Sequence, residues 1–456
     1  MSHKPMVKTL FSVTGLVILG KLLGFVKQLI IASAFGATLE TDLINLSQGL
    51  FIDLQALFSQ ALLTALVVVY LRVQEDGDER ARRFAGNVWS AVSVFAVVLS
   101  LLLCLCAPLL AKLLAPEYDV DLLARLTRYL RLFAPTMLPF IWATVYNSLL
   151  NANKCFIPGE FISISFSFWT ISFVLLLPRS LGVLPLALTF LVYTVWIALY
   201  LGVLSQRYLT LSRENPFCDC AVRQLLRMMT PLTLSYSLTF LRAQLMNVLS
   251  SSQGDGAVSA LNYALILSSL VTTFLVTFAS IFFPYVTSCI SEGNETGAAR
   301  LTRSAVMALL ALFLPIAILT ALCAKDIVTI VYARGAFDAQ SVTLCTAALV
   351  GFAPAFVPLV FQEIYSRYLY AHGDSRHPLI NNAIGMTCGI VTSVVLSRSL
   401  GLVGITAGSS VISAFVCGGL HWRSARKYYP VLCTENRLSD LVWLPTGGAV
   451  CAASSC

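Results

Sequence analysis

Apolar residues in this chain gather into long unbroken runs separated by short polar breaks, at about 9–33, 43–70, 87–111, 126–150, 159–177, 183–205, 226–250, 260–288, 304–331, 342–370, 379–397 and 401–420. A helix rises about 1.5 Å per residue, so roughly 20 apolar residues cross a hydrocarbon layer about 30 Å thick. The pattern therefore predicts an all-α polytopic membrane protein with about twelve transmembrane helices. The breaks are short throughout and leave no room for a separate soluble domain. After Lys427 the stretch DLVWLPTGGAVCAASSC is mildly apolar, but Pro445, Gly447 and Gly448 interrupt it and it is not counted as a span.

The runs repeat. FAPTMLPFIWATVYNSLLNANKCFIP from Phe133 matches FAPAFVPLVFQEIYSRYLYAHGDSRHP from Phe352, with Phe, Ala, Pro, Pro and Tyr recurring at one offset. The first run aligns with the seventh, pairing Val7 with Val222, Lys8 with Arg223, Phe25 with Phe240 and Lys27 with Arg242. Paired prolines predict kinks in the fourth and tenth spans, at Pro135 and Pro354. Two six-span halves of one orientation follow: residues 1–206, a cytoplasmic linker 207–226, residues 227–428, and a short tail 429–456. Parallel repeats about an axis normal to the membrane, enclosing a central cavity, are a transporter architecture.

Charge then sets the orientation. The chain is 58% hydrophobic and only 11% charged, with mean hydropathy +0.82 and net charge +8. In a soluble chain such a balance would suggest nucleic acid; here the basic residues sit between apolar runs and no nucleic-acid partner is expected. With both ends cytoplasmic, 17 Lys and Arg fall in inner segments and 8 in outer ones. The positive-inside rule favours that arrangement. The basic start MSHKPMVKTL precedes an apolar run without a small-residue cleavage site, and reads as part of an uncleaved first span. The 13 cysteines show no metal-ligand spacing, the CxC of Cys218 and Cys220 included, and neither a metal nor a cofactor is expected.

The informative residues are charges inside the runs. A charge at mid-membrane costs about 2.5 to 3.5 kcal/mol on insertion scales and normally faces a cavity or a partner. Lys21 and Lys27 lie in the first span, with Gly20 and Gly24 flanking Lys21, and Arg242 occupies the place in the seventh equivalent to Lys27. Asp53 in the second span falls near their depth. Three cations and one carboxylate favour an anionic substrate such as a pyrophosphate headgroup; the competing reading is that Asp53 merely neutralises a lysine. Glu363 and Arg367 are spaced for an intrahelical ion pair and are candidate gate residues, as is Gln60. Asp42 is expected either to cap the start of the second span or to act at a gate. None of the four histidines lies deep in a span, and paired catalytic carboxylates are missing, so the chain is not expected to be an enzyme.

At GKLLGFVKQLIIASAFGATLETDLINLSQ and ALFSQALLTAL the sequence resembles the MurJ/MviN family of lipid II flippases, in the MOP exporter superfamily. The likeness continues through YLRLFAP, SLLNANKCFIP, VYARGAFD and YSRYLYAHGDSRHP. The family's two first-span arginines match Lys21 and Lys27, its acidic residue after FGA matches Asp42, and its FSQ matches Phe58, Ser59 and Gln60. Phe51, Gln55, Leu265 and Ile266 stand where the family has charged residues, and the family's last two spans have no counterpart. The resemblance implies a monomeric flippase in the bacterial inner membrane that moves a polyprenyl-pyrophosphate-linked peptidoglycan precursor outward by alternating access, with an ion or the membrane potential as the coupling force. The alternatives are a flippase for another lipid-linked oligosaccharide, a cation-coupled exporter of small molecules, and a non-transporting paralogue.

Overall fold

Every regular element in the described residues is helical. The computed structural model describes residues 4–178, 181–210 and 219–428, with the backbone alone at 4–14 and 235. The tail 429–456, residues 179–180 and residues 211–218 of the expected linker lie outside the described residues, and the linker's expected end at 226 is corrected: from Cys220 the chain is already helix, capped by Asp219.

The first half runs α1 (Lys4–Phe35), α2 (Leu39–Glu75), α3 (Asp78–Leu105), α4 (Ala107–Leu114), α5 (Val120–Phe133), α6 (Met137–Ala152), α7 (Ile157–Leu176) and α8 (Leu184–Ser205). The second runs α9 (Cys220–Ser251), α10 (Ala257–Ser291), α11 (Glu295–Leu322), α12 (Ala324–Tyr332), α13 (Ala339–Phe352), α14 (Phe356–Ala371), α15 (Arg376–Thr406) and α16 (Ser413–Ala425). Side-chain caps start several of them. Thr38 forms a capping box with Thr41 on α2, Asp219 caps α9, Asn294 caps α11 and Asp338 caps α13.

The halves repeat in their irregularities as well as their helices. Pro135 and Pro354 lie in equivalent 3-10 turns, Ala134–Thr136 and Ala353–Ala355, where the missing N–H breaks an otherwise continuous span. Both third spans break at a Cys-Ala step, Cys106–Ala107 and Cys323–Ala324, into a short following helix. Packing follows the same scheme: α1 lies on α7 as α9 lies on α15, and α6 lies on α8 as α14 lies on α16.

Nine stretches in the described residues are long and apolar enough to cross a bilayer. The longest, Arg376–Ala425, is a hairpin: Gly401 turns at φ 55°, and Ser393 Oγ donates to Ile405 O at 3.1 Å across it. It therefore holds two of the expected runs. The α5–α6 rod and α9 are helical but fall outside the nine, because α5 carries Arg125, Arg128 and Arg131 and α9 is rich in basic and hydroxyl residues. Large apolar side chains point outward all round, among them Leu102, Leu105, Leu176, Leu199, Leu322 and Phe415. Such a surface suits hydrocarbon rather than water.

Candidate functional site

The two halves meet along α2, which packs on α9 and on the start of α10. At one end the seam is closed by main chain. The Ala336 amide donates to Ser33 O at 2.9 Å, the Tyr263 hydroxyl donates to Gly36 O at 3.0 Å, and the Ala37 amide donates to Ser341 Oγ at 3.3 Å. Gly36, Gly256 and Gly335 make this approach possible. All three have positive φ, and a Cβ on any of them would run into a carbonyl of the facing half: Ala336 O, Ala37 O and Ser33 O respectively.

Asp42 sits at the centre of this closure, fully buried. The cap of α2 is Thr38, so the expectation that Asp42 begins its own helix is corrected: the carboxylate reaches across the seam and caps α10. Its Oδ2 accepts from the Gly256 amide at 2.8 Å, while Oδ1 accepts from the Ser259 amide at 2.7 Å and the Ser259 hydroxyl at 2.6 Å. A carboxylate at a helix N-terminus satisfies orphan amides and meets the positive end of the dipole. Asn45 Nδ2 adds a bond to Ser259 Oγ at 2.9 Å.

Deeper along the seam, Gln244 Nε2 of α9 donates to Asp53 Oδ2 of α2 at 2.6 Å. Asp53 thus binds an amide of the opposite half, not a lysine. Among the described residues no carboxylate forms an ion pair with Lys21, Lys27 or Arg242. Neutralisation of the lysines by Asp53 is therefore corrected: its side-chain contact is with the Gln244 amide.

The three cations do not converge on one point. On α1, at about 100° per residue, the exposed apolar side chains Ile18, Leu19, Leu22 and Val26 form one face. Gly20 and Gly24 form another, seated on Ser163, Ile164 and Ser167 of α7, and Phe25 and Leu29 pack against the second half. Lys21 is exposed, at a wheel position between the glycine face and Phe25. Lys27 turns into the first half, its Nζ 4.1 Å from the centroid of Phe166, which itself packs on Tyr193 at 4.8 Å. Arg242 turns into the second half, where its Nη1 reaches Ser409 O at 3.5 Å. Ser409 belongs to a π-helical turn, Ala407–Ile412, whose wide register presents that carbonyl to a side chain.

The candidate gate residues divide between the halves. Gln60 is exposed and lines a cavity of about 200 Å³ between α2, α6, α7 and α8, with Asn147 on its wall. Glu363 and Arg367 of α14 face each other at 3.8 Å, and Glu363 shares a cavity of about 290 Å³ with Arg242. Sequence reasoning missed Gln244, Ser259 and the glycines. The polar group QLMN inside an apolar run and the GDG before α10 carried the signal.

Comparison with known proteins gives this geometry a family. The family model described as lipid II flippase MurJ matches residues 31–442. A probable lipid II flippase MurJ of Rickettsia prowazekii is 23% identical over 422 residues, covering 91% of this chain and 82% of its own. The lipid II flippase MurJ of Burkholderia cenocepacia is 24% identical, covering 89% of this chain and 81% of its own. Among solved structures, a lipid II flippase MurJ in an inward closed conformation superposes with a TM-score of 0.81 at 16% identity, over 92% of this chain and 90% of that one. An inward-facing multidrug resistance MATE transporter of the MOP superfamily gives 0.74 at 15% identity, over 92% of this chain and 96% of that one. With helices, proline turns and family match covering the same stretch, the chain belongs to the MurJ family of lipid II flippases.

Proposed function

We propose that this protein moves lipid II, a polyprenyl-pyrophosphate-linked peptidoglycan precursor, from the inner to the outer leaflet of a bacterial cytoplasmic membrane by alternating access. The observation that carries the reading is that none of Lys21, Lys27 and Arg242 is ion-paired with a carboxylate among the described residues. A cation held in a low-dielectric site without a partner costs several kcal/mol, and an anionic substrate offsets that cost each time it binds. Lys21 is the first contact because it is the exposed one of the three; Lys27 and Arg242 supply positive potential from either side. The halves α1–α8 and α9–α16 act as the two moving bodies, with both ends of the chain's twelve-span unit in the cytoplasm. The Asp42 end then faces outward, and its main-chain closure is the outer gate.

The test is complementation in cells depleted of their own flippase, with membrane level and melting temperature measured for each variant. Lys21→Ala, Lys27→Ala and Arg242→Ala should each insert and fold yet fail to support growth, and Lys21→Arg and Lys27→Arg should succeed because charge is kept. Normal growth with all three replaced by alanine would refute the reading.

A further inference from the structure

The duplication provides a comparison between two equivalent cavities. Phe140, Ala143 and Thr144 line the one in the first half; Leu359, Gln362 and Glu363, their counterparts 219 residues on in the repeat that joins Phe133 to Phe352, line the one in the second. Gln60 and Leu275 are likewise equivalent on the opposite walls, at the 215-residue spacing that joins Lys27 to Arg242. One ancestral cavity thus exists twice, with different chemistry. The first-half copy carries no charge: hydroxyl and amide groups sit among apolar ones. The second-half copy has gained a carboxylate at Glu363 and a guanidinium at Arg242, and Ser268, Ser269, Thr272 and Ser410 also line it.

Two opposite charges in one cavity normally collapse onto each other when nothing else is bound. Here they do not pair: Glu363 faces Arg367, one turn along its own helix at 3.8 Å, and Arg242 reaches only the Ser409 carbonyl at 3.5 Å. The guanidinium has five N–H donors and a weak hold on one acceptor, so its fork remains available to a carboxylate. Glu363 presents acceptor oxygens to a donor cation. At about 290 Å³ the cavity suits an amino-acid-sized group, not a lipid-linked disaccharide as a whole.

The geometry points to a second binding pocket in the second half, which holds a zwitterionic amino-acid or short-peptide group through its carboxylate on Arg242 and its ammonium on Glu363, with the serine and threonine hydroxyls taking the amide groups between. This deepens the flippase reading and rests on it: the peptide part of the headgroup docks here while the pyrophosphate stays with the first-half lysines. A pyrophosphate alone would gain nothing from a carboxylate in the same cavity, since like charges repel there.

The experiment uses the full chain in lipid nanodiscs and three probes: lipid II, the same polyprenyl-pyrophosphate disaccharide without its peptide, and free alanylalanine. Wild type should bind lipid II about tenfold or more tighter than the peptide-free lipid, and should bind alanylalanine weakly with saturation. Glu363→Gln and Arg242→Gln should each reduce that preference to about onefold. Melting temperature guards against misfolding, and Ser410→Ala serves as a milder second variant that should narrow the preference by about threefold. Equal affinity of wild type for the two lipids would overturn the pocket and leave the flippase reading standing. Binding of alanylalanine, abolished by Glu363→Gln, with neither lipid bound would overturn the flippase reading and leave the pocket's ligand class standing.

Discussion

Replacing Asp42 by asparagine tests whether the cap on α10 holds the two halves together. The carboxylate accepts three hydrogen bonds across the seam, two on Oδ1 from Ser259 and one on Oδ2 from the Gly256 amide. Asparagine keeps one acceptor oxygen, which can serve Ser259, and puts an NH2 against the Gly256 N–H. A hydrogen bond to a charged group contributes about 1.5 to 3 kcal/mol, and a buried donor left unmet costs a similar amount. Taking about 2 kcal/mol as the net loss, the equilibrium between the closed and open forms of this end should shift about 30-fold toward open, because the bonds exist only when α2 and α10 touch. Spin labels at Glu117→Cys and Gln340→Cys, exposed sites in the first and second half, would report the two populations by their separation. Gly256→Ala should shift the same populations the same way, since its Cβ would meet Ala37 O and its positive φ disfavours alanine. Identical distance distributions in wild type, Asp42→Asn and Gly256→Ala would refute the idea that this network sets the closure.

Asp53→Asn retains an acceptor for Gln244 and should leave melting temperature within a degree or two while abolishing any proton dependence of transport that runs through this carboxylate; Gln244→Ala, which strands Asp53 in the seam, should lower transport instead, and equal effects of both on flipping in vesicles would argue against a role for the pair. Asp374, in the turn between α14 and α15, should give a low-pH step in stability. Burial alone would raise its carboxyl, but the His377 amide at 3.1 Å, the Tyr428 hydroxyl at 2.9 Å and the His377 ring hold it below the usual carboxylate range. A group depressed in the folded state contributes stability that is full above its ordinary value near 4 and is lost as pH falls through the folded value. Thermal unfolding of wild type should therefore weaken below about pH 4, and Asp374→Asn should flatten that step.

The helices and their duplication were legible because both are written in local pattern: run length, and prolines that recur with their neighbours Phe and Ala. Lys27 and Arg242 could be paired from sequence for the same reason. What pattern could not supply was direction. Lys21 and Lys27 are six residues apart, close enough to read as one cluster, yet the helix points them to different sides of α1, one exposed and one onto Phe166. For Asp53 the sequence offered a lysine as the competing partner, and only the packing of α2 on α9 brings Gln244 opposite it. The closure around Asp42 was the hardest to foresee. It is made mostly of backbone groups, and a backbone amide looks the same in every sequence.

One feature of α9 bears on how the protein is made. Its first turns belong to the second half by repeat, yet Val222 and Leu225 are buried in the first half's core with Tyr70 and Phe84, and Met228, Met229 and Leu232 lie against that core. Asp219, at the start of the same helix, receives a hydrogen bond from Asn87 at 3.0 Å. A nascent chain that has delivered only its first six spans to the membrane therefore has an unfilled seam, which the ribosome's next thirty residues close. Severing the chain between α8 and α9 and expressing the pieces separately would leave the earlier piece waiting for a helix that its twin half carries, and its lifetime in the membrane would depend on how soon that helix arrives.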